Sequence, residues 1–555
     1  MDKKSYTPWQ RFVGLLKLER KDFLQILYYA IFAGIVSLSL PLGIQAIVNL
    51  IQGAQISTSW IVLVVLVTLG VAFVGALQLM QIRIVENIQQ KIFTRASFEF
   101  TYRFPKIKMS ELRDYYPPEL ANRFFDVLTI QKGLYKLVLD FPAAMVQIIF
   151  GLILLSFYHP FFIFYGLLLV ILIYLVFKFT GSTGLQTSLT ESKYKYKIVH
   201  WIQEIARTLI SFKLSGKSSL ALNKNDQLVS EYIDSRESHF RILRIQFIQM
   251  VGFKVLVTAG LLLIGGILVL NQQMNIGQFV AAEIIILLII NSVEKLILGL
   301  ENFYDLLTAL EKVGAVSDKE LESQNLSTPF TDADSLTLEL KNIGYVDDRD
   351  NKSILNAITL DINPGEHLLI NGPNGSGKST LLKIIAGLIE PTSGDFFINN
   401  KSIQGISLNH YRALLGQSFP EETPFEGTLL ENLTFGDQSI PQKDIDWAVE
   451  KMGLSEFVKN QPLGLHTPLK PEGKFISETI SNKIVLSRSI VRKPKILILK
   501  EPLNKFSTEE KERIINFLFD KSNTWSIIIA SKDAMWKNYC ERVLWLDGGK
   551  ISTSN

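Results

Sequence analysis

Gly372-Pro-Asn-Gly-Ser-Gly-Lys-Ser379 decides the fold of the C-terminal part of this chain. A short apolar run, Glu366–Asn371, precedes this glycine-rich turn, and Ser379–Leu388 follows it with helical character. Glycines in such a turn let successive backbone N–H groups surround phosphate oxygens, and the following helix directs its positive end at them. The sequence therefore predicts a phosphate-binding loop between a buried strand and a helix.

The turn supplies the candidate nucleotide-binding residues. Lys378 is placed to reach the β- and γ-phosphates, and the Ser379 hydroxyl is a candidate Mg²⁺ ligand. The other candidate binding residues of the turn and the first helical turn are Gly372, Asn374, Gly375, Ser376, Gly377 and Thr380.

Outward from the turn, residues 335–555 alternate strand and helix patterns, with predicted strands at Leu336–Ile343 and Ile358–Ile362. This order is typical of an α/β domain. Residues 318–334 are rich in Asn, Ser, Thr and Asp, which indicates a linker before the domain.

Residues 1–317 differ in character, because the long apolar runs of the chain are confined to them. The chain of 555 residues is 48% hydrophobic and 20% charged, which is unusual for a wholly soluble protein. Each run approaches or exceeds the roughly 18 to 20 residues that cross a bilayer as a helix. We therefore expect an α-helical transmembrane domain of six helices: Phe23–Ile51, Trp60–Ile82, Phe141–Tyr158, Phe161–Phe177, Ile245–Leu270 and Ile276–Leu300.

The basic residues predict the orientation of these spans. The candidate outer loops (residues 52–59, 159–160 and 271–275) contain no Lys or Arg, whereas the N-terminus and the two long connections, residues 83–140 and 178–244, contain many. The positive-inside rule then places the N-terminus and both connections in the cytoplasm. Tyr6–Leu18 is interpreted either as a helix on the inner membrane surface or as a disordered lead-in. Breaks at residues 114–118 and 216–219 suggest that helices leave the membrane, turn and return.

Three charged residues within the spans are informative. At 1.5 Å per residue, Lys254 and Glu294 lie about 25 and about 28 Å from the outer turn, so we expect them to pair. Glu283 lies only about 12 Å from that turn. It is a candidate for the substrate pathway, or else it makes a structural hydrogen bond to a neighbouring span.

Composition also excludes some classes of protein. The single cysteine, Cys540, rules out an internal disulfide framework. A net charge of +4 gives no argument for a nucleic-acid partner, and we expect none.

Six spans followed by a phosphate-loop domain resemble one half of an ATP-binding cassette (ABC) exporter. Asn275-Ile-Gly-Gln-Phe-Val-Ala281 is similar to the segment at the same place in the type I secretion and peptide-exporting branch, and Gly416-Gln417 resembles the family's Q-loop. Leu463-Gly-Leu-His-Thr467 with Gly473 resembles the run that leads into the signature sequence. The resemblance implies a type I exporter fold with an α/β P-loop NTPase domain, ATP as ligand, and Mg²⁺ held by Ser379 and Gln417. The adenine-stacking position falls on Tyr345 or, by register, on Asp347.

The remaining nucleotide machinery departs from the family pattern. The signature LSGGQ falls on a segment without glycine, and Lys500 stands where the Walker B aspartate belongs. Glu501 keeps the general-base position, and is either the base or a charged residue at a strand end. The degenerate positions of the signature are Ile476, Ser477, Glu478, Thr479 and Ile480. The others are Lys500 at the Walker B aspartate, Ser507 at the D-loop aspartate and Ser531 at the position of the switch histidine. They predict weak Mg²⁺ binding and slow hydrolysis.

Together these observations predict half of a dimeric exporter, moving a peptide or protein across the bacterial inner membrane with weak or absent ATP hydrolysis. The alternative is a non-hydrolysing membrane scaffold or a nucleotide-regulated pore. The implied partners are a second copy or a different ABC half, membrane lipid, and a periplasmic adaptor with an outer-membrane channel. The N-terminus and the nucleotide-binding domain are expected in the cytoplasm.

Overall fold

The computed structural model describes residues 6–52, 58–324, 326–331, 334–347, 349 and 351–552. Two compact units are present: residues up to Pro105 with Asp114–Lys319, and Lys106–Arg113 with the chain from Glu320 onward. The segment Lys106–Arg113, which the sequence places in the first long connection, thus belongs to the second unit. Its Lys108 amide donates to the carbonyl of Glu320 (3.0 Å), and the Glu322 amide donates to the carbonyl of Lys106 (2.8 Å).

Helices α1–α12 cover the region of the predicted spans and connections, and a single π-helical turn, Leu261–Gly265, joins α10 to α11. Their bounds are α1 Pro8–Leu18, α2 Arg20–Ser37, α3 Ser39–Gln52, α4 Thr58–Arg103, α5 Met109–Leu112, α6 Pro117–Asn122, α7 Asp126–Tyr158, α8 Phe161–Arg207, α9 Leu209–Leu214, α10 Leu220–Gly260, α11 Gly266–Leu270 and α12 Ile276–Ser317.

Five helical segments of the described chain are long and apolar enough to span a membrane: Arg20–Gln52, Thr58–Lys106, Pro117–Tyr158, Leu220–Leu270 and Ile276–Ser317. They contain five of the six predicted spans. The sixth, Phe161–Phe177, forms the start of α8, and several of its side chains lie outside the described residues. Most of the predicted outer loop 52–59 also lies outside them, as do Lys3 and Lys4, two of the basic residues that place the N-terminus in the cytoplasm by the positive-inside rule. The first unit is therefore a helical membrane domain of five to six apolar helices.

The first predicted span is not one continuous helix. It divides at Leu38, between α2 and α3. Pro41 has no N–H to donate to the carbonyl of Ser37, the last residue of α2, and so weakens continuity at this point.

The long helices extend well beyond a bilayer, as the connections predict. With 46 residues, α4 is about 70 Å long, more than twice the hydrocarbon thickness of about 30 Å. The predicted break at 114–118 covers most of the gap between α5 and α6 and the first two residues of α6, and the break at 216–219 lies between α9 and α10. Residues 8–18 form a helix, α1, whose position at the membrane surface stays a prediction.

The charged residues of the spans have different surroundings. Lys254 Nζ lies 2.5 Å from Glu294 Oε2, which confirms the predicted pair. Glu283 is half-buried, and among the described residues no hydrogen-bond or ion-pair partner is found for it. Both interpretations of Glu283 therefore stay predictions.

The second unit is an α/β domain. Its strands are β1 Leu338–Asp347, β2 Lys352–Ile362, β3 His367–Asn371, β4 Ser393–Ile398, β5 Lys401–Ser402, β6 Leu415–Ser418, β7 Gly427–Thr428, β8 Pro468–Leu469, β9 Ile496–Lys500, β10 Ser526–Ala530, β11 Arg542–Asp547 and β12 Lys550–Ser552. Its further helices are α13 Lys378–Ile385, α14 Leu408–Ala413, α15 Leu429–Thr434, α16 Gln442–Lys451, α17 Ser455–Lys459, α18 Glu478–Ile490 and α19 Thr508–Leu518.

Two main sheets organise this domain. A sheet of order β12-β11-β3-β10-β9-β6 has β11, β3, β10, β9 and β6 parallel, and a second sheet of order β2-β1-β4-β5 is antiparallel. One apolar core lies between the two sheets and includes α13, while the other packs α15, α16, α18 and α19 against the parallel sheet. Because β3, β10, β9 and β6 are parallel, their carboxyl ends meet along one edge.

Candidate functional site

The glycine-rich turn joins β3 to α13, as the sequence predicts. Gly372 has φ +145°, and a Cβ placed there would lie 2.0 Å from the carbonyl oxygen of Leu546. Gly377 has φ +102°, and a Cβ there would lie 2.7 Å from Leu355 Cδ2. Both positions therefore require glycine, for conformation and for space.

Lys378 is held across the mouth of this turn. Its Nζ donates to the carbonyl oxygens of Gly372 and Pro373 (2.7 Å each) and lies 3.3 Å from Ser376 Oγ. Burial lowers the pKa of Lys378, and the positive charges of Lys532 and Lys500 lower it further. Ser376 is buried, Ser379 and Thr380 are half-buried in the first turn of α13, and Asn374 and Gly375 are exposed.

The strand register brings several predicted site residues to the same edge as the turn. Ile370 of β3 pairs with Ala530 of β10, and Ala530 pairs with Lys500 of β9. On the next strand, Ser418 pairs with Leu499, so Gln417 lies one residue further from the edge. At about 4.8 Å between strands, the backbone of Lys500 is about 10 Å from that of Ile370.

Glu501 turns its carboxylate towards the residues that follow β10. Its Oε2 accepts a hydrogen bond from Ser531 Oγ (2.7 Å), and its Oε1 accepts one from the backbone N–H of Lys532 (3.1 Å). Ser531 is only 1% exposed. The backbone of Glu501 has φ +44°, in the left-handed region, and its N–H donates to the carbonyl of Ala530 (2.9 Å). Both carboxylate oxygens of Glu501 are thus engaged within the chain.

The segment Ile476–Ile480 forms the start of α18. Ser477 is the N-cap, and its Oγ accepts from the backbone N–H of Ile480 (3.2 Å). The Thr479 hydroxyl donates to the carbonyl of Lys505 (3.1 Å), and Glu478 pairs with the Lys505 ammonium (3.0 Å). No hydrogen bond or ion pair joins this segment to the glycine-rich turn within the described chain.

Two further predicted residues have local structural contacts. Ser507 is the N-cap of α19, where its Oγ accepts from the Glu510 N–H (3.3 Å). Asp347, at the end of β1, pairs with Arg349 (2.7 Å). Hydrogen bonds from Arg349 lower the pKa of the Asp347 carboxyl to about 2.

Tyr345 lies one strand away from the turn, because it pairs with Leu355 of β2, whose side chain faces Gly377. Tyr345 is only 6% exposed, and the Arg113 guanidinium lies 5.2 Å from the centroid of its ring. Tyr345 therefore offers little free face for an adenine. Sequence reasoning missed Arg113, since it is more than 200 residues away from β1 and belongs to no motif.

The donors available to a divalent cation are few. Ser379 and Gln417 contribute neutral oxygens, and Lys500 occupies the position of the expected aspartate. Glu421 pairs with Lys383 (3.1 Å). Among the described residues, no group of three or more His, Cys, Asp or Glu side chains is arranged to hold a metal ion.

A helical membrane domain joined to a phosphate-loop domain of this topology defines the class of ABC exporters. Residues 23–293 match the family model of the ABC transporter transmembrane region, and residues 355–504 match that of the ABC transporter. The structure of a bacterial Atm1-family ABC exporter with ATP bound superposes with a TM-score of 0.85, covering 96% of this chain and 94% of that one at 16% identity.

Curated relatives agree with this class. The colicin V secretion/processing ATP-binding protein CvaB of Escherichia coli is 28% identical over 54% of this chain and 44% of its own length. The ABC transporter ATP-binding protein YwjA of Bacillus subtilis is 28% identical over 51% of this chain and 49% of its own. The chain thus spans about half the length of these relatives in the matched regions.

The chain belongs to the ABC transporter family, because separate family models match its transmembrane region and its nucleotide-binding domain. It is a multi-pass membrane protein with the ABC exporter fold. A domain of this type implies ATP as the ligand of the glycine-rich turn, and exporters of this class typically act as dimers.

Proposed function

We propose that this chain is one half of a dimeric exporter that carries a peptide or protein out across the bacterial inner membrane. It binds ATP at the phosphate loop but hydrolyses it slowly or not at all. The segment Asn275–Ala281 and the similarity to a colicin V secretion protein support a peptide or protein substrate. The second half is either another copy or a different ABC half, and a periplasmic adaptor and outer-membrane channel would complete the path.

One observation carries the proposal of weak hydrolysis: the position that normally supports Mg²⁺ is Lys500, and the neighbouring Glu501 has both carboxylate oxygens engaged. Two unit charges about 4 Å apart interact by about 4 kcal/mol at an effective dielectric constant of about 20, and by about twice that when one is divalent. Replacing a carboxylate with an ammonium group therefore exchanges a strong attraction for Mg²⁺ for a repulsion of similar size.

The state of Glu501 supports the same conclusion. A general base must lie within hydrogen-bond reach of the water whose proton it accepts. Here the Ser531 hydroxyl and the Lys532 amide already occupy one lone pair on each oxygen, and they hold the carboxylate against the loop after β10. Glu501 is therefore proposed as a structural acceptor rather than the active base.

The signature segment adds a second deficit, which acts on the partner's nucleotide. Glycines allow a backbone to approach phosphate closely, and Ile476–Ile480 contains none. Glu478 also places a carboxylate at this helix start, where it would repel phosphate. Its ion pair with Lys505 offsets only part of that charge, because both side chains are more than half exposed.

The test is to measure ATP binding and turnover by the purified full chain in lipid nanodiscs. We expect saturable ATP binding that Lys378→Ala abolishes, and phosphate release close to background. Lys443, an exposed lysine on α16, is the matched control, and Lys443→Ala should bind ATP normally. Turnover at the rate of ordinary active exporters, by the chain alone, would refute the proposal.

The second candidate function is a non-hydrolysing membrane scaffold or nucleotide-regulated pore, which the same engaged Glu501 favours. The two candidates differ in what Lys378→Ala does in cells that depend on the chain. Loss of secretion supports the exporter, whereas unchanged cellular function at equal protein level supports the scaffold.

A further inference from the structure

The donor set at the nucleotide site does not fit Mg²⁺. This cation prefers an octahedral shell of oxygens that includes one or two carboxylates. Ser379 and Gln417 supply only neutral oxygens, and the position that should add a carboxylate is Lys500. Glu501 and Glu421 are the nearby carboxylates along this edge, and each is already engaged, with Ser531 and Lys383 respectively.

The same edge of the sheet carries cationic side chains. Lys378 begins α13 directly after the turn, and Lys500 ends β9, two strands across from β3. Lys532 follows β10, the strand between them, and its backbone N–H is fixed by the hydrogen bond to Glu501. In the described part of the chain, Lys500 and Lys532 form no ion pair. The positive charges of Lys500 and Lys532 both act on the Lys378 ammonium, so three cationic residues belong to the edge of the sheet that leads into the phosphate loop.

The charge balance of this edge suits a triphosphate without metal. The ammonium groups are those of Lys378, Lys500 and Lys532, together with Lys383, which pairs with Glu421. Against the two carboxylates, Glu501 and Glu421, they leave two positive charges, supplied by the chain itself. A nucleoside triphosphate that binds without Mg²⁺ keeps the two negative charges that the metal would have neutralised. A lysine ammonium binds phosphate as a point charge, so Lys500 and Lys532 provide chemistry of the required kind.

We infer that this site binds nucleoside triphosphate in its metal-free form, with Lys500 and Lys532 in the place of Mg²⁺. The inference rests on the proposed binding of ATP at the phosphate loop and specifies which form of ATP is taken. It also predicts that bound nucleotide persists, because a site that excludes the metal lacks its assistance to hydrolysis.

The test is the equilibrium binding of radiolabelled ATP to the full chain in nanodiscs, in EDTA and in excess Mg²⁺. We expect affinity in EDTA to equal or exceed affinity in Mg²⁺. Lys500→Asp should weaken binding in EDTA by about tenfold or more, and Mg²⁺ should then restore it. Lys500→Met should weaken binding in EDTA without creating a preference for Mg²⁺, because it removes the charge without supplying a ligand.

Two additional variants make the result specific. Lys443→Asp makes the same charge change on α16 and should alter binding in neither buffer. Lys532→Asp changes an exposed side chain, so folding should be preserved, and it should weaken binding in EDTA as well. Melting curves recorded without nucleotide verify that each variant is folded.

The outcomes separate this inference from the proposed function. ATP binding that requires Mg²⁺ in the parent chain overturns the metal-free site and leaves the proposed function intact. Unchanged EDTA affinity in folded Lys532→Asp and Lys500→Asp also overturns it. Absence of ATP binding in both buffers overturns both.

Discussion

Glu322→Gln should loosen the chain segment that follows α12 from the nucleotide-binding domain. Glu322 is 8% exposed, and its two carboxylate oxygens accept from Nη1 and Nη2 of Arg412 on α14 at 2.8 Å each. Arg412 also donates to the carbonyl of Gly387, while its Nε is buried without a partner in the described chain. The guanidinium therefore depends on Glu322 for charge compensation.

The size of the effect follows from this geometry. Removing one partner of a buried ion pair costs about 3 to 5 kcal/mol, because the other charge stays buried without compensation. Glutamine retains one acceptor oxygen, so we expect about 2 to 3 kcal/mol for Glu322→Gln. This corresponds to an increase of about thirtyfold or more in local opening. Glu390 is the matched control, since its carboxylate is 73% exposed and makes a surface ion pair of 3.5 Å with the Lys108 ammonium. Glu390→Gln should change stability by less than about 0.5 kcal/mol.

Hydrogen–deuterium exchange of the full chain measures this effect locally. The Glu322 amide, bonded to the carbonyl of Lys106, and the Ser407 amide, bonded to the carbonyl of Ser327, report on the attachment. Both should exchange faster in Glu322→Gln, and the double variant Glu322→Gln/Arg412→Met should recover much of the protection. Equal exchange in Glu322→Gln and Glu390→Gln would refute the reasoning.

Two shorter predictions concern the same domain. Gly372→Ala should abolish ATP binding and destabilise the domain by at least about 2 kcal/mol, whereas Gly405→Ala, with open space at its Cβ, should bind ATP normally in the same titration. The Lys483 ammonium, 2.6 Å from Glu510, lowers the pKa of that carboxyl below 4.5. The stabilisation that this ion pair gives the folded state is thus fully present above pH 4.5, and it is lost as pH falls through the lowered pKa of Glu510. Denaturant unfolding of Glu510→Gln should show a deficit of about 1 kcal/mol at pH 7 that shrinks on acidification; a deficit independent of pH would contradict it.

Local patterns in the sequence predict most of the fold. The apolar runs identify the membrane helices because a span needs only continuous hydrophobicity, and the glycine-rich turn identifies β3 and α13 because each glycine has a backbone reason. The division at Leu38 was missed, although Pro41 carried a signal for it. The pair Lys254–Glu294 was predictable because two antiparallel spans share one turn. The number of residues from that turn therefore gives the depth of each side chain in the membrane.

Contacts between distant segments were not predictable in the same way. Glu322 meets Arg412 across 90 residues, and Arg113 covers Tyr345 from a segment assigned to the membrane part. Neither contact belongs to a periodic pattern or a motif, so only the folded chain reveals it. The sequence left two interpretations of Glu501, and the hydrogen bond from Ser531, 30 residues away, gives the physical reason to favour the structural one.

The departures at the nucleotide site form a coherent set under the proposed function. A histidine at the position of Ser531 would serve a water and a γ-phosphate, whereas a serine hydroxyl is short enough to bond Glu501 directly. Once Lys500 disfavours the metal, a free carboxylate next to the phosphates would only add repulsion. Engaging Glu501 with Ser531 and the Lys532 amide moves that negative charge onto local donors and leaves the ammonium groups to face the nucleotide. Under the proposed function, the same residues that slow hydrolysis therefore also favour the retention of a triphosphate.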